Sequence, residues 1–397
     1  MGAVLPDRGV AAAATDVPWT EVALRIEWLG EPGRFARVAT DWDRMLPAGA
    51  RPFDLHAWYS AWFRAFGAPD GMRVCLAWRG DRLEAAFPLV LRPRRSLAAM
   101  ANVHTPVFRP VGRSHEAVRA VTDAALALAS NNLDLHALPF GDPSLTVLRE
   151  ATAAAGRRHA IGSQHVSPIV ATTGVYEDWR SRSRPRWGAP LERFRRKMLR
   201  EHETEISVVE SPLDLESELA RGFAVEASGW KGESGTAILS DERTIAFYRA
   251  IAESFGARGE LRLSRIVIDG TWAAFDLCLL HDDRLYLLKT GYDERFRRLA
   301  PGLVMRLSII ERCFELGIVA HELLGDEAEW KRKFATGERA HVGFRAYERG
   351  LRGSVEYTYR STARPLLKRA YNGLNRAGTS GARAPRPIAR PRGADRE

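Results

Sequence analysis

Glu260–Tyr292 reads ELRLSRIVIDGTWAAFDLCLLHDDRLYLLKTGY, and Asp293–Gly317 continues DERFRRLAPGLVMRLSIIERCFELG. Three β-rich runs are separated by Asp269-Gly270 and His281-Asp282-Asp283. Asp-Gly between two strand-like runs is a strong hairpin signal, because both residues tolerate the positive φ of a tight turn. Arg295, Arg297 and Arg298 then precede a Pro301-Gly302 step into a helix with Leu303, Leu307, Ile310 and Phe314 at helical spacing. A helix N-terminus offers unpaired N–H groups and a partial positive charge, which suits phosphate, and Gly302 permits close backbone approach. The same pattern also serves as an ordinary helix start. Its position at a strand-to-helix switch after a β-meander, where ligands collect in open α/β sheets, points to the anion site.

Working outward, TEISVVES alternates as a strand, and LDLESELARGFAVEASGW and SDERTIAFYRAIAESFG have helical spacing, the latter with Ser240 as N-cap. Beyond Gly317 come a short strand VAHELL, an amphipathic helix DEAEWKRKFAT with Asp326 as N-cap, and a final strand HVGFRAYE. The order is β-α-α-β-β-β-α-β-α-β. The first half repeats it: a strand in EVALRIEWLG, two helices through LHAWYSAWFRAFG, and a hairpin turning at Gly80-Asp81. A helix SHEAVRAVTDAALALAS, a strand NLDLHALP, a helix SLTVLREATAAAG and a strand RRHAIGSQHVSPIVA complete it. We read a structural duplication: a flexible N-terminus (1–18), a first unit (19–171), a basic connector (172–203), a second unit (204–349) and a basic, largely disordered tail (350–397).

Of the 397 residues, 45% are hydrophobic, enough for two ordinary domains with cores. Cys75, Cys278 and Cys313 lie far apart, which excludes a disulfide framework or zinc knuckle and fits a reducing cytoplasm. No basic leader or long apolar run occurs. The net charge is +10, but Arg180–Arg200 and Leu351–Glu397 each carry +8, so the remainder is acidic. A connector and a tail hold the positive charge, and specific DNA binding is not expected.

The element order, with a phosphate loop between the fourth strand and the following helix, resembles the GNAT acyltransferase superfamily, whose R/Q-x-x-G-x-G/A loop holds the coenzyme A pyrophosphate. RRLAPG matches it in part, supplying Arg298, Pro301 and Gly302, with Leu303 in a spacer position. EASGWKGESGTAI, YDERFRRLAPG and LLGDEAEWKRKF, in that order, resemble the CelD/BcsL-like acetyltransferases, tandem GNAT proteins related to Fem-type aminoacyl transferases. The likeness spans Phe53–Tyr347, with its specific motifs in Glu226–Phe334.

This resemblance implies an α/β fold with a mixed sheet and two GNAT-like units. It implies acetyl-CoA or another acyl-CoA as co-substrate, bound by Lys289, Arg297, Arg298, Pro301, Gly302 and Leu303. The pantetheine arm would lie between the diverging strands LYLLKTGYD and VAHELL. Acyl transfer needs a base, an oxyanion stabiliser and a tolerated thiolate. Glu226 is a base or a solvated helix residue; Lys231 orients an anionic substrate group or caps a helix. Asp293 lies near the thioester or caps the arginine-rich turn, and Tyr292 donates to thiolate or packs at a strand end. Asp326 and Lys331 fall in the family-like motif, with one of them expected at the substrate. Related chains often carry Tyr where Trp330 stands, so that phenol is missing here.

No metal is expected. HELLG lacks the second His of a zincin helix, and His281 and His341 have no partner spacing. By the resemblance, the acceptor is a small molecule or glycan precursor: a sugar, amino sugar or envelope-polysaccharide precursor, in cellulose or exopolysaccharide synthesis. The alternatives are a Fem-type transfer from aminoacyl-tRNA, with the connector's arginines on RNA phosphates, or a non-catalytic accessory of polysaccharide assembly. RPLLKRAYNGL in the tail has the pattern of a basic helix on an anionic membrane, giving a cytoplasmic protein peripheral to the inner membrane face as the expected location.

Overall fold

The computed structural model describes residues 23–183, 187–229 and 235–360. Thirteen strands form among them: β1 (Arg25–Leu29), β2 (Met72–Arg79), β3 (Arg82–Arg92), β4 (Ser96–Ala99), β5 (Val111–Gly112), β6 (Leu133–Pro139), β7 (His159–Ala171), β8 (Thr204–Glu210), β9 (Leu261–Ile268), β10 (Thr271–His281), β11 (Arg284–Tyr292), β12 (Ala320–Glu322) and β13 (Gly337–Ala346). Asp269 and Gly270 both take positive φ (50° and 75°), which closes the β9–β10 hairpin with the twist its strands require. The next turn is tighter than expected, since His281 pairs with Arg284 and leaves Asp282-Asp283 as the loop.

All strands join one mixed sheet in the order β1-β2-β3-β4-β6-β13-β7-β12-β11-β10-β9-β8, with β5 on β3. The last strands of the two halves are exchanged. β13 lies antiparallel between β6 and β7, while β7 pairs with β12 of the second half. Each half's sheet is thus completed by the other's terminal strand.

Three helices, His56–Phe66, Leu215–Ala227 and Glu242–Ala257, share one apolar cluster. Trp58 meets Phe247 edge-on at 5.3 Å and Phe53 meets Tyr286 at 5.5 Å, so aromatic contacts tie the halves together. A second cluster gathers the helix Pro301–Glu315, the helix Ala189–Glu201 and β9–β11. The connector arginines are partly used in this docking: Arg180 pairs with Glu192 and Arg195 with Glu311, both at 2.6 Å.

Two expected caps differ. Asp241, not Ser240, caps the helix Glu242–Ala257, its carboxylate accepting the Arg243 N–H, while Ser240 closes a 3-10 turn, Ile238–Ser240. Asp326 caps nothing: Leu324 and Gly325 have left-handed φ, and the helix begins only at Glu329 after Ala328. Lys231, the N-terminal 1–18 and the RPLLKRAYNGL segment lie outside the described residues. No helix among the described residues is long and apolar enough to cross a membrane.

Candidate active site

β11 and β12 pair in parallel over three positions only, Arg284↔Ala320, Leu285↔His321 and Tyr286↔Glu322. β12 then stops while β11 continues to Tyr292, so the edge from Leu287 onward leaves its neighbour. A cavity of about 400 Å³ opens at that end, lined by Glu226, Thr290–Tyr292, Arg297, Pro301–Leu303, Arg306 and Trp330.

The chain turns from strand to helix through a 3-10 segment, Glu294–Leu299. Asp293 caps it, accepting the Arg295 N–H at 2.9 Å and the Arg295 guanidinium at 2.5 Å, and these bonds hold its carboxyl below the usual range. Ala300 is left-handed (φ 50°), and this reversal starts the helix at Pro301. Arg297 and Arg298 are both exposed, and of the two Arg297 lines the cavity. A Cβ on Gly302 would meet the Tyr292 ring at 3.5 Å, an ordinary contact, and would project into the cavity wall. Burial, and then a hydrogen bond to Glu294, raises the Tyr292 phenol's pKa.

Glu226 reaches the cavity from the opposite sheet face. It sits in the last turn of the helix Leu215–Ala227, 1% exposed, with Oε2 accepting the Ile238 N–H at 2.8 Å. Lys289 belongs to this side: its Nζ lies 3.9 Å from Glu226 Oε1 and 5.0 Å above the Tyr248 ring, away from the helix N-terminus. Asp326 and Lys331 do not line the cavity. Lys331 Nζ donates to the Leu324 carbonyl and, at 3.0 Å, to the Asp326 carbonyl, stapling the loop that leads into the helix bearing Trp330.

Two features escaped the sequence reading. Arg306 is 1% exposed beneath the cavity, with Nη2 donating to Asp276 at 2.5 Å, Nη1 donating to His321 Nε2 at 2.5 Å and Trp330 stacked at 5.3 Å. His321 Nδ1–H donates to the Leu285 carbonyl, and burial followed by the Arg306 charge keeps the imidazole neutral. The signal was present: Arg306 in VMRLSII and Asp276 in AAFDLCLL are lone charges inside apolar runs. The second feature is His104 of the first half, 3.3 Å from both Thr244 Oγ1 and the Tyr248 hydroxyl. Burial and then Lys289 push its pKa down to about 4. No local pattern around His104 identifies that contact.

Residues 189–332 match the family model described as an acetyltransferase (GNAT) domain. The C-terminal domain (DUF2156) of a protein described as a lysylphosphatidylglycerol synthetase, from Agrobacterium fabrum, superposes with a TM-score of 0.51 at 14% identity, covering 83% of this chain and 97% of that one. FemX superposes with a TM-score of 0.51 at 11% identity, covering 82% and 97%. A tandem GNAT protein from the clavulanic acid biosynthesis pathway aligns at 15% identity over 83% and 100%, with a TM-score of 0.44. A search of curated proteins returned no match. The chain carries a tandem GNAT-like fold, and residues 189–332 in its second half match the GNAT domain model.

Proposed function

We propose that this protein is an acyl-CoA-dependent acyltransferase whose second half holds the donor and whose acceptor enters between the halves. The carrying observation is the cavity at the end of β11. It joins an open strand edge, Arg297 and the first turn of the helix Pro301–Glu315 on one side to buried Glu226 on the other. Residues present there suit a diphosphate and an amide-bearing arm: a helix N-terminus with a side-chain-free Gly302 for the former, the stretch of β11 that β12 leaves beyond Tyr286 for the latter. Bound acyl-CoA would supply an activated acyl carbon with a thiolate leaving group. Glu226 would take the acceptor's proton, and Lys289 beside it keeps that carboxylate's charge balanced in a buried setting. We assign acetyl as the acyl group. For the acceptor we assign a hydroxyl or amine of a sugar or envelope-polysaccharide precursor, on the motif resemblance to CelD/BcsL-like proteins, acting at the inner membrane face. A second reading, transfer from aminoacyl-tRNA, is favoured by the helix Ala189–Glu201, which docks beside the arginine turn with Arg193, Arg196 and Arg200 exposed.

Thermal unfolding with coenzyme A and acetyl-CoA tests the donor. A ligand at a hundred times its Kd adds about 2.7 kcal/mol, and chains of this size shift by roughly 2–4 °C per kcal/mol. The wild-type protein should rise by several degrees. Gly302→Val should unfold at the unliganded wild-type temperature and show no rise. No rise in the wild-type protein with either ligand would sink the acyl-CoA reading and move salt-sensitive tRNA binding to the front.

A further inference from the structure

This inference rests on the acyl-CoA reading above. Arg306 lines the cavity, is 1% exposed and commits two of its three nitrogens to protein partners, Asp276 and His321. Its Nε–H is buried as well and has no hydrogen-bond partner among the described residues. Leaving a buried charged donor unmet is unfavourable, so a group that completes it binds with advantage. Asp276 and the neutral His321 fix the guanidinium plane, and the Trp330 ring covers it at 5.3 Å, excluding water on that side. A permanently charged, preorganised donor in a low-dielectric site is suited to stabilise negative charge that develops during a reaction.

The negative charge that acyl transfer leaves behind resides on sulfur. Tyr292, the phenol in the cavity wall, is hydrogen-bonded to Glu294 with its pKa raised, which makes it a poor acid for a thiolate. We propose that Arg306 is the group that stabilises the departing thiolate, with Nε–H donating to the sulfur as the C–S bond breaks. The acceptor's nitrogen or oxygen forms its bond to the acyl carbon, and the acceptor's proton passes to Glu226. The electron pair of the C–S bond leaves on sulfur. Arg306 gives up no proton: it holds the thiolate as an ion pair until coenzyme A dissociates. Asp276 and His321 act through Arg306 as positioning residues.

The test reads the thiol itself and needs no acceptor. Coenzyme A is bound to the full-length protein, and the ultraviolet absorbance of its thiolate is followed across pH. The bound thiol should titrate at least about one pH unit below free coenzyme A, as thiols beside a fixed cation do. The double variant Asp276→Asn/Arg306→Gln removes both buried charges while leaving two amides able to bond each other. It should still be stabilised by coenzyme A, and its bound thiol should titrate at or above the free value. A wild-type complex whose thiol titrates like free coenzyme A overturns the proposal, whether or not the double variant folds. A depression that survives in the double variant overturns it too. Failure of the wild-type protein to bind coenzyme A would instead remove the donor reading and this inference with it.

Discussion

His341 shows how one residue couples this fold to pH. It is 1% exposed in β13, stacked on His165 of β7 at 4.5 Å. Burial first, then His165, Arg51 and Arg339, push its pKa down to about 3. The unfolded chain protonates this imidazole from about pH 6.5 downward, whereas the native protein does not until near pH 3. Its neutral form therefore contributes fully above pH 6.5, and stability is lost on acidification at about 1.4 kcal/mol per pH unit. His341→Phe should flatten the fall in urea-unfolding free energy between pH 6 and 4 by about one proton. An unchanged slope would contradict this assignment. Read alone, the sequence marked His341 only as a strand residue without a metal partner, because its pKa is set first by burial and then by His165 and Arg51, which the fold brings to it from afar, more than by its neighbour Arg339.

At the scale of elements, the site depends on how closely the helix Leu215–Ala227 sits on β10 and β11. A Cβ on Gly222 would lie 2.3 Å from the Phe275 ring, and one on Gly291 would lie 2.5 Å from the Glu226 Cα. Gly291→Ala must push that helix end, and Glu226 with it, off the strand. We expect a loss of about 1–3 kcal/mol in urea unfolding. Gly256→Ala, whose Cβ would meet only a Leu261 methyl at 3.8 Å, should be neutral or stabilising by about 0.5–1 kcal/mol. Equal losses in both variants would sink the close-approach argument. Most elements were legible because their signals are local: Asp269-Gly270 closes its hairpin by φ preference alone. The two misplaced caps failed for a tertiary reason. Ile238 N–H is held by Glu226 across the site, drawing Ser240 into a 3-10 turn, and Lys331 ties back the loop at Asp326.

Over the whole molecule, the exchange of β7 and β13 makes the halves interdependent. Residues 204–360 expressed alone would leave β12 without β7 and β13 without either neighbour, exposing long unpaired edges. That fragment should aggregate, and co-expression with residues 23–203 should return a soluble complex of both pieces on size exclusion. A soluble, folded second half by itself would show that the exchange is dispensable. By itself the sequence determined the repeated element order, the hairpins, the arginine-rich corner and the position of its helix, since period, turn chemistry and glycine placement act over a few residues. Tertiary structure alone decided which half completes which sheet, that Arg297 rather than Arg298 faces the cavity, and that Asp276, Arg306 and His321 meet beneath it. Backbone ladders pair any strand edges that packing brings together, and a buried charge finds its partner through the fold rather than along the chain.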